Sequence, residues 1–277
     1  MLKGQIVKIL SNLYFVESNG EIFECRSRGK FRHMDLTPVV GDFVLFDEEE
    51  KYILEVLERK NVLVRPMVSN IDQAFIVTSV KQPDFSSYLL DKLLVLMYHH
   101  HIKPIICITK YDLLEKDERK EIDAIIKYYK KQGYQVIKNH QLFKIRRMFK
   151  GKTTVFTGQT GAGKSTLLNK LDKRLSLEVG EISKALGRGR HTTRHVELIH
   201  VWKGNVLDTP GFSSLDLTDI SKEEIKDAFK EFERITCFYQ DCFHLKEKEC
   251  LVKEAVDNGK ILASRYENYT RFLNERK

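Results

Sequence analysis

Over residues 1–62 the hydrophobic positions recur at every second residue, in runs at 5–10, 13–16, 22–26, 39–46 and 52–57. That is the period of half-buried strands. Asn19-Gly20 separates the second run from the third, and this dipeptide suits the positive φ angles of a two-residue hairpin turn. Five short strands with little helix predict a small closed barrel of the OB-fold type. From Arg65-Pro66 the pattern changes. Apolar runs at 71–80, 104–109, 134–137 and 154–157 predict strands, and segments at 88–100, 115–132 and 140–149 carry the wider helical period. Alternating strands and helices predict a mostly parallel sheet with ligand loops at the strand C-termini. A strand pair is expected at 196–201 and 205–207, then helices at 221–235, 251–258 and 263–276, the last two separated by Gly259. Ser221 and Glu224 form a capping box at the start of the first.

A chain of 277 residues can build about two domains and a sizeable core. Hydrophobic content of 42% beside 31% charged residues excludes a disordered chain. No apolar run reaches the length of a membrane span, and MLKGQIVKIL carries neither the h-region nor the cleavage signature of a signal peptide. A cytoplasmic protein with no membrane partner is expected. The net charge of +8 fits either a polyanionic partner or simply a basic enzyme. Arg26, Arg28, Lys30, Arg32 and His33 load one barrel loop with positive charge, which suits an RNA contact or a solvated basic loop. His99, His100 and His101 are consecutive; on a helix they point about 100° apart and cannot converge on one ion, so a solvated helix end is expected.

Gly158, Gln159, Thr160, Gly161, Ala162, Gly163, Lys164 and Ser165, followed by Thr166, match G-x-x-x-x-G-K-[ST] between a predicted strand and a predicted helix. Glycines let the backbone N–H groups turn inward, and the helix N-terminus adds positive potential, so a polyphosphate is cradled without side-chain bulk. Lys164 is expected on the β and γ phosphates and Ser165 on magnesium. Thr109, Lys110, Tyr111 and Asp112 end a buried strand and resemble the guanine motif N-K-x-D, with Thr in place of Asn. A carboxylate at Asp112 would accept hydrogen bonds from both guanine N1 and N2, a pairing adenine cannot offer. Lys110 would lay its stem along the purine. Asp208-Thr-Pro-Gly211 matches D-x-x-G: Asp208 is expected to hold magnesium through water, and the Gly211 N–H to face the γ-phosphate. Between them, 187–195 is glycine-rich and holds Thr192 and Thr193, as a first switch requires; an ordinary basic loop is the alternative. Among five cysteines, Cys237, Cys242 and Cys250 surround His244 as C-x4-C-x-H-x5-C. Three thiolates and an imidazole are the donor set of a closed structural zinc site, with buried free cysteines as the alternative. Cys25 and Cys107 fall on predicted strands.

The motif order is rotated: base recognition, then phosphate loop, then switches. With Val40-Gly41-Asp42, Arg65-Pro66, Asn70-Ile-Asp-Gln73, His191-Thr-Thr193, His195-Val-Glu-Leu198, Asp208-Thr-Pro-Gly-Phe212 and the C-terminal cysteines, essentially the whole chain resembles the RsgA family, circularly permuted GTPases of small-ribosomal-subunit maturation. The resemblance implies an α/β protein: an N-terminal OB-fold RNA-binding domain at 1–62, a circularly permuted P-loop GTPase domain at 63–215 and a small helical zinc-binding domain at 216–277. It implies GTP or GDP with magnesium, and one structural zinc per chain on Cys237, Cys242, His244 and Cys250. It also implies a monomer whose partner is the small ribosomal subunit and its rRNA, with turnover stimulated by the subunit and coupled to release from it. Two departures are Thr109 and the sequence Lys138-Asn139-His140, where a Ser-Ala-like second guanine loop is usual. Phe212 stands where Ras-like enzymes carry a water-orienting glutamine, and Gly161 where potassium-activated GTPases place asparagine. The expected catalytic set is therefore Lys164, Thr192, Thr193 and His191, the last either orienting water or touching phosphate or RNA. On residues alone two rivals stay open. One is a P-loop ATPase or kinase, which would need no Asp112. The other is an RNA-binding module whose nucleotide site only stabilises the fold.

Overall fold

A computed structural model describes residues 1–27, 31, 36–64, 67–175, 197–207 and 216–275. The strands β1 (Leu2–Leu10), β2 (Leu13–Ser18), β3 (Glu21–Ser27), β4 (Phe43–Asp47) and β5 (Tyr52–Val56) close into a barrel of order β1-β2-β3-β5-β4. β4 returns antiparallel to β1, and β3 lies parallel to β5, the connectivity of an OB-fold. Ile6, Val16, Cys25, Val44, Phe46 and Ile53 fill its interior and are fully buried. Alternation of inward and outward side chains thus does what the period-2 pattern predicts.

β4 starts later than the apolar run suggests, and the cause is local. Gly41 turns at φ 95°, and a Cβ there would meet the Ser69 carbonyl oxygen at 2.1 Å. The next residue, Asp42, is fully buried. Its carboxylate accepts from the Val39 N–H at 2.8 Å, the Ser69 hydroxyl at 2.6 Å, and Arg59 through Nε and Nη2 at 2.8 Å each. A buried carboxylate is tolerated when its oxygens are saturated in this way. The hairpin of β6 (Val62–Val64) and β7 (Met67–Ser69) was not expected; three residues per strand are too few to show a period.

The remaining strands are β8 (Gln73–Ser79), β9 (Lys103–Thr109), β10 (Gln135–Lys138), β11 (Thr153–Thr157), β12 (Leu198–Val201) and β13 (Gly204–Leu207). They form one sheet of order β10-β9-β8-β11-β13-β12. β9 with β10 and β11 with β13 are parallel, whereas β12 is antiparallel to β13. β8 and β11 are buried along their whole length, as the inner strands of a parallel sheet are. The helices α1 (Ser87–His99), α2 (Lys116–Lys131), α3 (Leu142–Phe149) and α4 (Lys164–Leu171) connect them. α5 (Lys222–Asp227), α6 (Leu251–Asp257) and α7 (Ala263–Glu275) follow. The chain divides into two compact units, Met1–Phe75 with His140–Thr157 and Gly163–Ser213, and Ile76–Asn139 with Gly158–Ala162 and Ser214–Lys277.

In the second unit Arg265 is 1% exposed and pairs with Asp91 at 2.6 Å and with both oxygens of Glu231 at 2.7 and 2.9 Å. Tyr129 and Asn268 complete Asp91 at 2.6 and 2.7 Å, and Tyr128 completes Glu231 at 3.0 Å. Burial pushes the Asp91 carboxyl up. Burial acts on Glu231 too, but Arg265, a backbone N–H and Tyr128 together hold that carboxyl below its usual range. The capping box of Ser221 and Glu224 forms as expected, yet α5 ends at Asp227 rather than near 235. Phe229, Glu231 and Phe232 are all buried; on a helix Glu231 would point about 200° away from Phe229, so the helix gives way to turns. The histidine run is also less solvated than expected: His99 is half-buried, with Nδ1 2.9 Å from Glu224.

Candidate functional site

β11 carries the chain straight into the phosphate loop. Gly158 has φ 132°, and a Cβ on it would stand 2.0 Å from the Val77 carbonyl oxygen of β8. Gly161 and Gly163 also have positive φ, 77° and 93°, and Gly163 is the N-cap of α4. Gln159 is half-buried, Thr160 is exposed and Ala162 is buried. Lys164 opens α4; burial lowers its pKa from the ordinary lysine value. A partly desolvated ammonium gains most from an anion brought beside it. Ser165 is buried in the first turn and Thr166 half-buried.

Thr109, at the end of β9, is 2% exposed and its hydroxyl donates to the Ala162 carbonyl at 2.6 Å. Threonine here ties the strand end to the phosphate-loop backbone. Lys110 takes a left-handed φ of 57°, and its ammonium donates to the Gln82 carbonyl. Tyr111, Asp112 and Leu113 form one 3-10 turn. Asp112 is exposed, and among the described residues its carboxylate makes no hydrogen bond. Tyr111 is held by Asp123 of α2 and by Lys138 at the end of β10. Asp123 carries no sequence signal, being a lone charged residue on an amphipathic helix, whereas Lys138 opens the Lys138-Asn139-His140 departure.

β13 ends at Leu207, directly before Asp208, and lies parallel to β11 with Leu207 opposite Val155. Asp208, Gly211 and Phe212, like His191, Thr192 and Thr193, lie outside the described residues. So do Arg28, Lys30, Arg32 and His33 of the basic barrel loop and the Arg65-Pro66 pair. Arg26 stands exposed at the end of β3.

Cys237, Cys242, His244 and Cys250 bring their ligand atoms within 4.8 Å of one another. The sulfur of Cys250 lies 3.8 Å from those of Cys237 and Cys242 and 3.3 Å from Nδ1 of His244. Cys237 is 3.6 Å from the same nitrogen. A tetrahedron with metal–sulfur bonds of about 2.3 Å has edges of about 3.8 Å, whereas a disulfide needs about 2.05 Å. The donor set and its spacing therefore fit a four-coordinate zinc ion. Burial pulls His244 down to about 4 and pushes Cys242 up to about 12. Tyr266 and Tyr269 donate to the carbonyls of His244 and Phe243 at 2.5 and 2.7 Å, fixing the loop from α7. Cys25 and Cys107 are buried on β3 and β9, outside this cluster.

A family model described as RsgA GTPase matches residues 56–218, and one described as RsgA N-terminal domain matches residues 3–52. The chain belongs to the RsgA GTPase family. Within that family it is 50% identical over 285 residues to the small ribosomal subunit biogenesis GTPase RsgA 2 of Oceanobacillus iheyensis, covering 99% of this chain and 97% of the relative. It is 49% identical over 288 residues to the small ribosomal subunit biogenesis GTPase RsgA of Bacillus velezensis, with the same coverage of 99% and 97%. The crystal structure of YloQ, a circularly permuted GTPase, superposes with a TM-score of 0.83 at 42% identity, covering 99% of this chain and 94% of that one. YjeQ from Thermotoga maritima gives 0.84 at 37% identity, covering 99% and 98%. In this RsgA-type chain the turn from Thr109 to Asp112 precedes the phosphate loop, in the rotated order of a circularly permuted GTPase.

Proposed function

We propose that this chain hydrolyses GTP in the maturation of the small ribosomal subunit, with turnover stimulated by the subunit and coupled to release from it. One observation carries the reading: Thr109, beside the exposed Asp112, is hydrogen-bonded to a phosphate loop that comes later in the chain. A base carboxylate and a phosphate cradle joined in this way suit a guanine nucleotide. Asp112 accepts from guanine N1 and N2, and Lys110 lies along the ring. The backbone from Gly158 to Gly163 cradles the phosphates, and Lys164 balances the β and γ charges. Ser165 and Asp208 would hold magnesium, which neutralises phosphate charge when bound. Thr192 and Thr193 serve as the first switch and Gly211 as the γ-phosphate sensor. His191 orients the water, since Phe212 can neither donate nor accept. One zinc per chain sits on Cys237, Cys242, His244 and Cys250.

The parts divide the work as an RNA-gripping barrel at 1–62, a GTPase domain at 63–215 and a zinc domain at 216–277, in a cytoplasmic monomer that contacts rRNA. Among the described residues no helix is long and apolar enough to cross a membrane, and no membrane partner is assigned. Calorimetry with GDP and ADP tests the base assignment that separates this function from a P-loop ATPase. GDP is expected to bind tighter by on the order of a hundredfold or more. Equal affinities would overturn the proposal.

A further inference from the structure

Asp112 is one exposed residue in a single 3-10 turn, yet a two-point hydrogen bond to guanine requires both carboxylate oxygens to be aimed. What aims them lies next door. The Tyr111 hydroxyl donates to Asp123 Oδ2 of α2 at 2.7 Å, and Lys138 Nζ lies 3.3 Å from the other oxygen of Asp123. The same ammonium sits 3.2 Å from the centroid of the Tyr111 ring. Arg119, one turn earlier on α2, has its guanidinium 5.8 Å from that ring and donates to the Asp112 carbonyl oxygen at 3.4 Å. Lys138 is itself fixed, because β10 pairs with β9 in the register Lys138 to Ile108, and Asn139 N–H donates to the Ile108 carbonyl at 2.9 Å.

We infer that Tyr111, Asp123 and Lys138 form a positioning triad that sets the aim of Asp112 and so tunes discrimination among purine bases. The inference rests on the assignment of Asp112 to guanine. Tyr111 then acts through Asp112; its ring is a post, clamped by a cation on its face and a carboxylate on its hydroxyl. The Tyr111 hydrogen bond, and after it Lys138, holds the Asp123 carboxyl below its ordinary range. Lys138 opens the stretch Lys138-Asn139-His140 that departs from the Ser-Ala-like loop, so this chain supports its guanine turn with an ammonium there.

The experiment is calorimetry on the full chain with four probes: GDP, inosine diphosphate (which lacks the N2 amine), xanthosine diphosphate and inorganic tripolyphosphate. Asp112→Asn is expected to shift preference from GDP to xanthosine diphosphate. Tyr111→Phe and Lys138→Met are expected to weaken GDP by about fivefold and to narrow the ratio of GDP to inosine diphosphate affinity. Both should bind tripolyphosphate as the wild type does, and Lys138→Arg should restore the ratio. If Asp112→Asn shifts the preference while Tyr111→Phe and Lys138→Met leave the ratio unchanged, the triad is overturned and the base assignment stands. An equal fall for GDP and tripolyphosphate also overturns it, because the cluster would then serve the fold alone. If Asp112→Asn keeps the guanine preference, the base assignment fails and takes the triad with it.

Discussion

Thr109 occupies the first position of the sequence that resembles N-K-x-D but spends its hydroxyl on the phosphate loop, 2.6 Å from the Ala162 carbonyl. Thr109→Val keeps the side-chain shape and removes the donor, leaving a buried acceptor without its main partner. A loss of about 1–3 kcal/mol is expected on denaturant unfolding; an unchanged midpoint would show that the bond contributes nothing. The glycine pattern and Lys164 were legible because their chemistry is local: each is defined by neighbours within a few residues. The Thr109 bond was not, because Ala162 is 53 residues away. The same holds for Arg265 and Asp91, 174 residues apart, whose pairing leaves no trace in any window of sequence. Asp42 was visible only as part of a motif, and its bonds to Val39, Ser69 and Arg59 supply the physical reason for that motif.

The barrel strands other than β4 and the first four helices follow their hydrophobic periods because each buries a regular face, while β8 and β11 are buried throughout. Prediction failed where side chains off that period must also go inside. α5 stops before Phe229 and Glu231, both buried though a helix would point them about 200° apart, and the β6–β7 hairpin is too short to declare itself. The loop of Cys237, Cys242, His244 and Cys250 is a third kind of element, marked by its donor set rather than by periodicity. Cys250 is central to it: it is the N-cap of α6 and its sulfur lies within 3.8 Å of the three other ligand atoms. Cys250→Ser should reduce zinc from one ion per chain to near zero and open residues 237–250 to protease, because binding free energy at such a site is folding free energy. Metal analysis and limited proteolysis check this; full zinc content with an unchanged cleavage pattern would contradict it.

At the scale of the molecule the rotated motif order was legible at once, since it needs only the order of three motifs along the chain. Its consequence is a direct route through the sequence. Asp208 to Phe212 runs within ten residues into the capping box at Ser221 and then, after α5, to the cluster of Cys237, Cys242, His244 and Cys250. A net charge of +8 suits a partner made of RNA. With Phe212 unable to orient water, intrinsic hydrolysis should be slow and the subunit should supply the acceleration. The decisive measurement is the GTP turnover rate of the full chain with and without purified small ribosomal subunits. A slow intrinsic rate that rises by on the order of tenfold or more with subunits is expected; equal rates in the two conditions would contradict a ribosome-coupled GTPase.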